Sequence, residues 1–194
     1  MASTTVSPLL LASASPRRRD LLRALGVPFD VHPADVDETP QPGETPIQTA
    51  ERLARAKVHA IAEAHPTRAI LAADTIVTID GTTLGKPRDA EENAAFLRRL
   101  AGRPHTVVTA HAMQHDGNLA TETVTTTVHL RTLRDAEIEA WVARGEGLDK
   151  AGGYAIQDVG AALVGEVHGC YSNVVGLSLP AVVRLAETLE VTLV

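Results

Sequence analysis

The sequence predicts an α/β fold with an elongated mixed β-sheet flanked by helices, and three observations lead to this prediction. Short apolar runs typical of buried strands alternate with stretches of helical period along the first half of the chain. One of these runs, Ala69–Ile79, is apolar except for Asp74 and two threonines, a pattern typical of a strand covered on both faces. Two β-rich runs then flank Asp116-Gly117-Asn118, which is a typical hairpin turn.

The individual elements follow from periodicity and from start and stop signals. Pro16 suits the first turn of a helix, Gly26 its end, and Asp89 the cap of another helix. The expected order is strand Leu9–Ala12, helix Arg17–Leu25, strand Phe29–His32, loop Pro33–Pro46, helix Ile47–Ala64, strand Ala69–Ile79, a return strand beginning at Leu84, a helix from Asp89 to Leu100, strands His105–Gln114 and Thr121–Leu133, helix Arg134–Arg144, a glycine-containing loop Asp149–Gln157, strand Val159–His168 and helix Leu179–Leu189.

Composition limits the classes of function. The chain has 194 residues, of which 44% are apolar, which predicts a single domain over residues 1–194. A net charge of -6 argues against a general nucleic-acid partner, because such binding needs a positive surface. No apolar run reaches the roughly 18 residues that span a bilayer. The positive charges at Arg17–Arg19 follow the apolar run Leu9–Ala12, unlike those of a signal peptide, and Cys170 is the lone cysteine. We therefore expect a cytoplasmic protein with no membrane partner.

Three consecutive arginines, Arg17–Arg19, stand where a helix is expected to begin. The preceding strand ends in Ser13-Ala14-Ser15, and Arg17 and Arg18 follow Pro16. A helix N-terminus carries free backbone N–H groups and a partial positive charge, so cations there are mildly unfavourable unless an anion binds. The pattern indicates an anion site. The alternative is that both side chains extend into water.

Asp74 is a charged residue inside an apolar strand. Burying an unpaired carboxylate costs several kcal/mol, so we expect Asp74 to be paired, to bind a metal, or to lie at the open end of the strand. The alternative is a structural aspartate that is satisfied by neighbouring backbone or by Thr75.

Two further segments suggest a ligand. Gly85-Lys86-Pro87 holds a lysine in a stiff turn soon after the Asp74 strand, although an ordinary exposed lysine would explain it as well. In Asp149–Gln157, adjacent glycines allow backbone to approach a ligand, and the Gln157 amide offers both a donor and an acceptor to a base edge. A tight surface loop is the alternative there. Glu38, in an acidic loop, and Lys57, on a helix, would otherwise be solvated.

Seven ordered segments resemble the Maf family of nucleotide pyrophosphatases, over about Leu9 to Leu189. They are LASASPRR at 11–18, VDE at 36–38, ERLARAK at 51–57, AADTIV at 72–77, LGKP at 84–87, DKAGGYAIQ at 149–157 and GCYSNVVGL at 169–177. Their order and spacing are jointly specific, whereas each alone is a weak signal. The family fold resembles that of inosine triphosphate pyrophosphatases. The resemblance therefore implies two lobes around a nucleotide cleft.

The resemblance also implies an activity, which is hydrolysis of a nucleoside triphosphate to the monophosphate and pyrophosphate with Mg²⁺ or Mn²⁺. It assigns Asp74 as the proton acceptor, and Glu38 and Asp74 are the nearest carboxylates for the metal. The residues that would line the nucleotide site are Ser13, Arg17, Arg18, Glu38, Lys57, Lys86 and Gln157. The family branch that acts on dTTP and UTP resembles this chain at Arg17, Thr75 and Gln157, so these pyrimidine nucleotides are the expected substrates. A homodimer is left open.

Two departures from that branch bear on specificity. The chain has Asp158 after Gln157 where the branch usually has glycine, and Ser178 after Gly176-Leu177 where it usually has proline. A sibling branch that acts on N7-methyl-GTP usually has glutamate in place of Gln157. An N7-methyl-GTP pyrophosphatase of that branch is therefore one alternative. The other is a non-catalytic, nucleotide-binding regulator of cell division, which the family's association with septum formation suggests.

Overall fold

The computed structural model describes residues 8–193, so both limits of the predicted domain, residues 1 and 194, lie outside the described residues. The fold class is α/β, as predicted. The described strands are Leu9–Leu11 (β1), Phe29–Val31 (β2), Ile70–Ile79 (β3), Thr82–Leu84 (β4), Pro104–His115 (β5), Asn118–Leu130 (β6) and Val164–His168 (β7). The described α-helices are Pro16–Leu25 (α1), Pro46–Ala62 (α2), Ala90–Leu100 (α3), Asp135–Ala143 (α4), Tyr171–Val175 (α5) and Leu179–Thr188 (α6).

The strands form one mixed sheet in the order β2-β1-β3-β5-β6-β7, and β4 pairs with β3 outside this path. β1 is parallel to both β2 and β3, whereas β3–β4 and β6–β7 are antiparallel. β5 and β6 are joined through Asp116 and Gly117, which both have positive φ angles of 47° and 78°, as a tight hairpin requires. The predicted mixed sheet and hairpin are confirmed.

The chain forms two compact units, each built from several segments. Among the described residues, unit 1 contains 8–74, 109–124 and 176–193, and unit 2 contains 75–108 and 125–175. The boundary in β3 falls between Asp74 and Thr75. Each unit has an apolar core of its own. The core of unit 1 includes Leu11, Leu22, Leu71, Met113, Leu177 and Val182. The core of unit 2 includes Val77, Leu97, Leu100, Leu130, Trp141 and Tyr154.

Local signals explain where the helices begin and end. The Ser15 side chain caps α1, and Gly26 ends it in the left-handed conformation with φ 80°. Thr45 and Gln48 form a capping box at the start of α2. Asp89 caps α3, as the sequence predicts, by accepting the Glu92 backbone N–H.

The prediction of one strand over Val159–His168 is wrong in its first half. Asp158–Leu163 forms a 3-10 helix, and the strand begins at Val164. Asp158 has a φ of 51°, which is incompatible with an extended strand. The chain therefore turns tightly before β7 can pair with β6. The short helix α5 was not predicted.

Smaller corrections concern the element ends. α2 ends at Ala62 rather than at Ala64, and β6 covers Asn118–Leu130 rather than Thr121–Leu133. The strand β4 ends, rather than begins, at Leu84, and the glycine-containing loop includes a 3-10 turn at Ala151–Gly153. In the part of the chain that the structure describes, no helix combines the length and the apolar character needed to cross a bilayer.

Candidate functional site

Two carboxylates converge on the Lys57 ammonium in unit 1. Lys57 Nζ lies 2.6 Å from Glu38 Oε1 and 2.7 Å from Asp74 Oδ1. Lys57 and Asp74 are only 7% and 8% exposed, whereas the Glu38 side chain is 55% exposed. Asp74 is therefore buried and paired with a cation, which satisfies the requirement that the sequence places on a charge inside an apolar strand.

Lys57 lies on the buried face of α2, which it shares with Leu53, Ala54, Val58 and Ile61. The interpretation of this lysine as a solvated helix residue is therefore wrong. Its spacing of four residues from both Leu53 and Ile61 is a sequence signal that it belongs to the apolar face. The aliphatic part of the side chain can pack in that face while Nζ reaches the two carboxylates.

The loop that carries Glu38 is fastened to α2 by Arg52. The guanidinium donates from Nε to Glu44 Oε1 at 2.6 Å and from Nη2 to Glu44 Oε2 at 2.9 Å, and Nη2 also donates to the Thr39 carbonyl at 3.0 Å. This bidentate pair lowers the pKa of Glu44 to about 2, chiefly through the hydrogen bond from Arg52. Arg52 was not predicted as a site residue. It holds the loop at Thr39, the residue that follows Glu38.

Arg18 is fixed at the start of α1 by two hydrogen bonds within unit 1. Its Nη1 donates to Ser13 Oγ at 2.9 Å and its Nε donates to the Gly176 carbonyl at 2.8 Å. Burial lowers the pKa of Arg18, the Asp74 carboxylate opposes this shift, and the charge of Arg17 adds to it. Arg18 and Asp74 therefore act on one another electrostatically. For Arg18, the interpretation as a side chain that extends into water is wrong.

Unit 2 contains the other three predicted residues, Thr75, Lys86 and Gln157. Lys86 is exposed, and Thr75 and Gln157 are half-buried. The Gly152 N–H donates to the Gly85 carbonyl at 3.0 Å, so the loop before Gln157 is hydrogen-bonded to the turn that holds Lys86. Gly152 and Gly153 have φ angles of 74° and 73°, which explains the adjacent glycines that mark this loop in the sequence.

Side chains that were not predicted as site residues hold this glycine loop. The Gly153 carbonyl accepts hydrogen bonds from Asn93 Nδ2 at 2.7 Å and from Trp141 Nε1 at 2.8 Å. The next residue, Tyr154, places its hydroxyl 2.6 Å from His105 Nε2, and burial lowers the pKa of His105 to about 4. Asn93 precedes Leu97 and Leu100 at helical spacing. The position of an amide side chain on the apolar face of a helix was the sequence signal that Asn93 binds a buried partner.

The donor set of Glu38 and Asp74 fits the predicted metal. Their carboxylate oxygens converge on one cation, the Lys57 ammonium, and hard oxygen ligands are those that Mg²⁺ and Mn²⁺ prefer. Within residues 8–193 there is no group of three or more His, Cys, Asp or Glu side chains arranged around a metal position. Mg²⁺ sites commonly use one or two carboxylates together with substrate phosphates, so a pair of carboxylates is sufficient.

The chain is similar to known proteins over most of its length. The family model described as "Maf-like protein" matches residues 8–189. A dTTP/UTP pyrophosphatase from Myxococcus xanthus (strain DK1622) is 50% identical over 181 residues, which cover 92% of this chain and 91% of that protein. A dTTP/UTP pyrophosphatase from Geobacter sp. (strain M21) is 48% identical over 179 residues, which cover 91% of this chain and 93% of that protein.

The solved structure of the Staphylococcus aureus Ham1 protein is also similar, with a TM-score of 0.44 and 18% sequence identity. The similarity covers 64% of this chain and 72% of that one.

Proposed function

The chain belongs to the Maf family, and from this membership we propose that it hydrolyses dTTP and UTP to the nucleoside monophosphate and pyrophosphate. The observation that carries the proposal is the identity of about half the residues, over nine-tenths of the chain, with proteins named dTTP/UTP pyrophosphatase. Arg17, Thr75 and Gln157, at which the sequence resembles the dTTP/UTP branch, support the pyrimidine preference.

In the proposed reaction, Asp74 accepts the proton of the attacking water. It can do so only as the carboxylate, and the Lys57 ammonium at 2.7 Å stabilises that charged form. A Mg²⁺ or Mn²⁺ ion held by Glu38 and Asp74 would supply positive charge to the phosphate oxygens. Lys57 bridges the same two carboxylates and so keeps both oriented towards one point.

The triphosphate is proposed to bind to the arginines of α1 and to Lys86. Arg18, held through Ser13 and Gly176, presents a fixed cation at a helix N-terminus, where backbone N–H groups also favour anions. Departure of pyrophosphate leaves negative charge on its oxygens, and fixed cations stabilise that charge. Gln157 is proposed to recognise the base, because its amide can donate to a carbonyl oxygen and accept from the ring N3–H of uracil or thymine.

Product analysis tests the proposal. The purified protein is incubated with dTTP, UTP or N7-methyl-GTP and Mg²⁺ or Mn²⁺, and monophosphate, pyrophosphate and orthophosphate are quantified. We expect one monophosphate and one pyrophosphate per turnover, with dTTP and UTP preferred. A preference for N7-methyl-GTP would assign the chain to the sibling branch. Nucleotide binding without turnover would instead support the regulator of cell division.

The proposal includes a cytoplasmic location and a small-molecule partner. The lone Cys170 suits a reducing compartment, where nucleoside triphosphates are used. The net charge of -6 confines anion binding to local groups of cations such as Arg17 and Arg18. No nucleic-acid or membrane partner is proposed.

A further inference from the structure

A buried histidine in unit 1 accepts a hydrogen bond from a backbone N–H close to the arginine site. His111, in β5, is 0% exposed, and its Nε2 lies 2.8 Å from the backbone nitrogen of Ser178. Its Nδ1 lies 3.1 Å from the Glu122 carbonyl. Since Nε2 accepts, Nδ1 carries the proton and donates to Glu122. Burial lowers the pKa of His111 to about 4, which agrees with this neutral form.

Ser178 is one of the two positions at which the sequence departs from the dTTP/UTP branch, which usually has proline there. Proline has no backbone N–H, so with proline at this position His111 Nε2 would be buried without its donor. The Ser178 side chain separately caps α6 by accepting the Ala181 N–H. The Ser178 N–H is thus the donor for His111 Nε2, and His111 Nε2 is the acceptor for the Ser178 N–H.

The pair is joined to Arg18 through two residues of backbone. The Gly176 carbonyl accepts the hydrogen bond from Arg18 Nε at 2.8 Å, and Leu177, between Gly176 and Ser178, is 0% exposed in the core of unit 1. His111 therefore fixes the segment 176–178 at the Ser178 N–H, and the Gly176 carbonyl of the same segment fixes Arg18. Arg18 in turn donates to Ser13 at 2.9 Å.

We propose that His111 and Ser178, through its backbone N–H, are positioning residues for Arg18. They act through the Gly176 carbonyl, which accepts the hydrogen bond from Arg18. The consequence for substrate rests on the proposed function, in which Arg18 binds the triphosphate. Loss of the pair would move the Gly176 carbonyl, and the guanidinium would lose its fixed orientation. The affinity for the triphosphate would then fall more than the rate of the chemical step.

The test uses a cycle of substitutions in the full chain. Ser178→Pro removes the N–H, and the φ of -70° at this position suits proline. Ser178→Ala keeps the N–H and removes the cap, so it separates the effect of the N–H from that of the cap. His111→Val removes the acceptor, together with the donor to the Glu122 carbonyl. The double variant His111→Val with Ser178→Pro removes both partners of the same hydrogen bond, so the two substitutions should not add in their effect on Arg18.

We expect each of His111→Val and Ser178→Pro to raise the KM for UTP about tenfold with a smaller change in kcat, as for loss of one buried hydrogen bond. The double variant should raise the KM about as much as one single variant, about tenfold rather than about a hundredfold, since both changes remove the same hydrogen bond. His115→Ala is the matched control, because it removes another β5 histidine that contacts a carbonyl, that of Leu189 at 3.3 Å. It should leave the KM unchanged.

A second readout does not depend on turnover. The Arg18 Nε–H, hydrogen-bonded to Gly176, should give a ¹⁵N-resolved NMR signal that shifts or broadens to a similar extent in both single variants and in the double variant. If the single variants lower the melting temperature but leave this signal and the KM unchanged, the pair has only a structural role and the inference is overturned. If UTP is not turned over but the signal behaves as expected, the proposed function fails and the positioning of Arg18 stands.

Discussion

Lys57 Nζ lies 2.7 Å from Asp74 Oδ1, and this ion pair joins the buried face of α2 to the centre of β3 within unit 1. The Lys57 and Asp74 side chains are only 8% and 11% exposed. A buried charge is tolerated only when it is paired, so the Asp74 carboxylate depends on Lys57, whereas Lys57 is paired with Glu38 as well. The pair thus places a carboxylate for proton transfer inside an apolar strand.

Replacement of Lys57 by methionine should destabilise the protein. The buried Asp74 carboxylate would lose its cation, and removing one partner of a buried pair costs about 3 kcal/mol. The free energy of unfolding in urea measures the effect. Arg55→Ala, on the exposed side of the same helix and bonded to Thr121 at 2.9 Å, is the control and should change it by less than about 0.5 kcal/mol. A loss similar to that of the control would show that the ion pair contributes little.

Asp158→Gly should stabilise the fold. Asp158 has a φ of 51°, in the left-handed region that glycine adopts without steric cost, and an L-residue there is strained by about 1 kcal/mol. Thermal unfolding compares the variant with Asp158→Ala, which removes the carboxylate but keeps the β-carbon. Equal stability of the glycine and alanine variants would reject backbone strain as the cause.

Arg17→Ala and Lys86→Ala should each weaken binding of UTP more than binding of UMP. Each cation is proposed to face phosphate charge that the monophosphate lacks. Calorimetry with both nucleotides measures the difference, and Arg23→Ala serves as a control because Arg23 is exposed and paired with Asp20 at 2.7 Å. Equal losses for UTP and UMP would remove Arg17 and Lys86 from the phosphate site.

Gln157→Glu should lower the efficiency for dTTP and UTP. A glutamate carboxylate can only accept, so it would face a pyrimidine carbonyl without a donor. A mispaired buried polar contact costs about 1–3 kcal/mol, or roughly 5- to 150-fold in kcat/KM. The activity on N7-methyl-GTP should fall less or rise, because its base edge is rich in donors. The ratio of kcat/KM for UTP and N7-methyl-GTP measures this. An unchanged ratio would mean that Gln157 does not recognise the base.

The sequence predicts most of the fold because the signals involved are local. Apolar period, caps such as Asp89, and the Asp116-Gly117 turn depend on neighbouring residues, and these elements appear where they are expected. The strand predicted over Val159–Leu163 fails because the chain turns tightly at Asp158, which has a φ of 51°. Gly160 packs so closely on Ala155 that a β-carbon would lie 2.5 Å from its carbonyl oxygen, and this contact is not visible in the apolar pattern.

The candidate site was predicted less completely, because side-chain pairing depends on tertiary structure. Asp74 was identifiable as a buried charge that needs a partner, but nothing local indicates that Lys57, seventeen positions earlier, supplies it. The positioning roles of Arg52 and His111 involve partners on other elements and were not predicted for the same reason.

Asp74→Asn tests the central claim most directly, because the amide keeps the shape of the side chain but cannot accept the proton. Pyrophosphate release from UTP, with Mg²⁺ present, should fall by about 10²- to 10³-fold while the fold and UTP binding remain. Asp80→Asn, just after the same strand and paired with Arg103 at 2.8 Å, is the matched control and should retain wild-type turnover. A folded Asp74→Asn protein that releases pyrophosphate at nearly the wild-type rate would contradict the account.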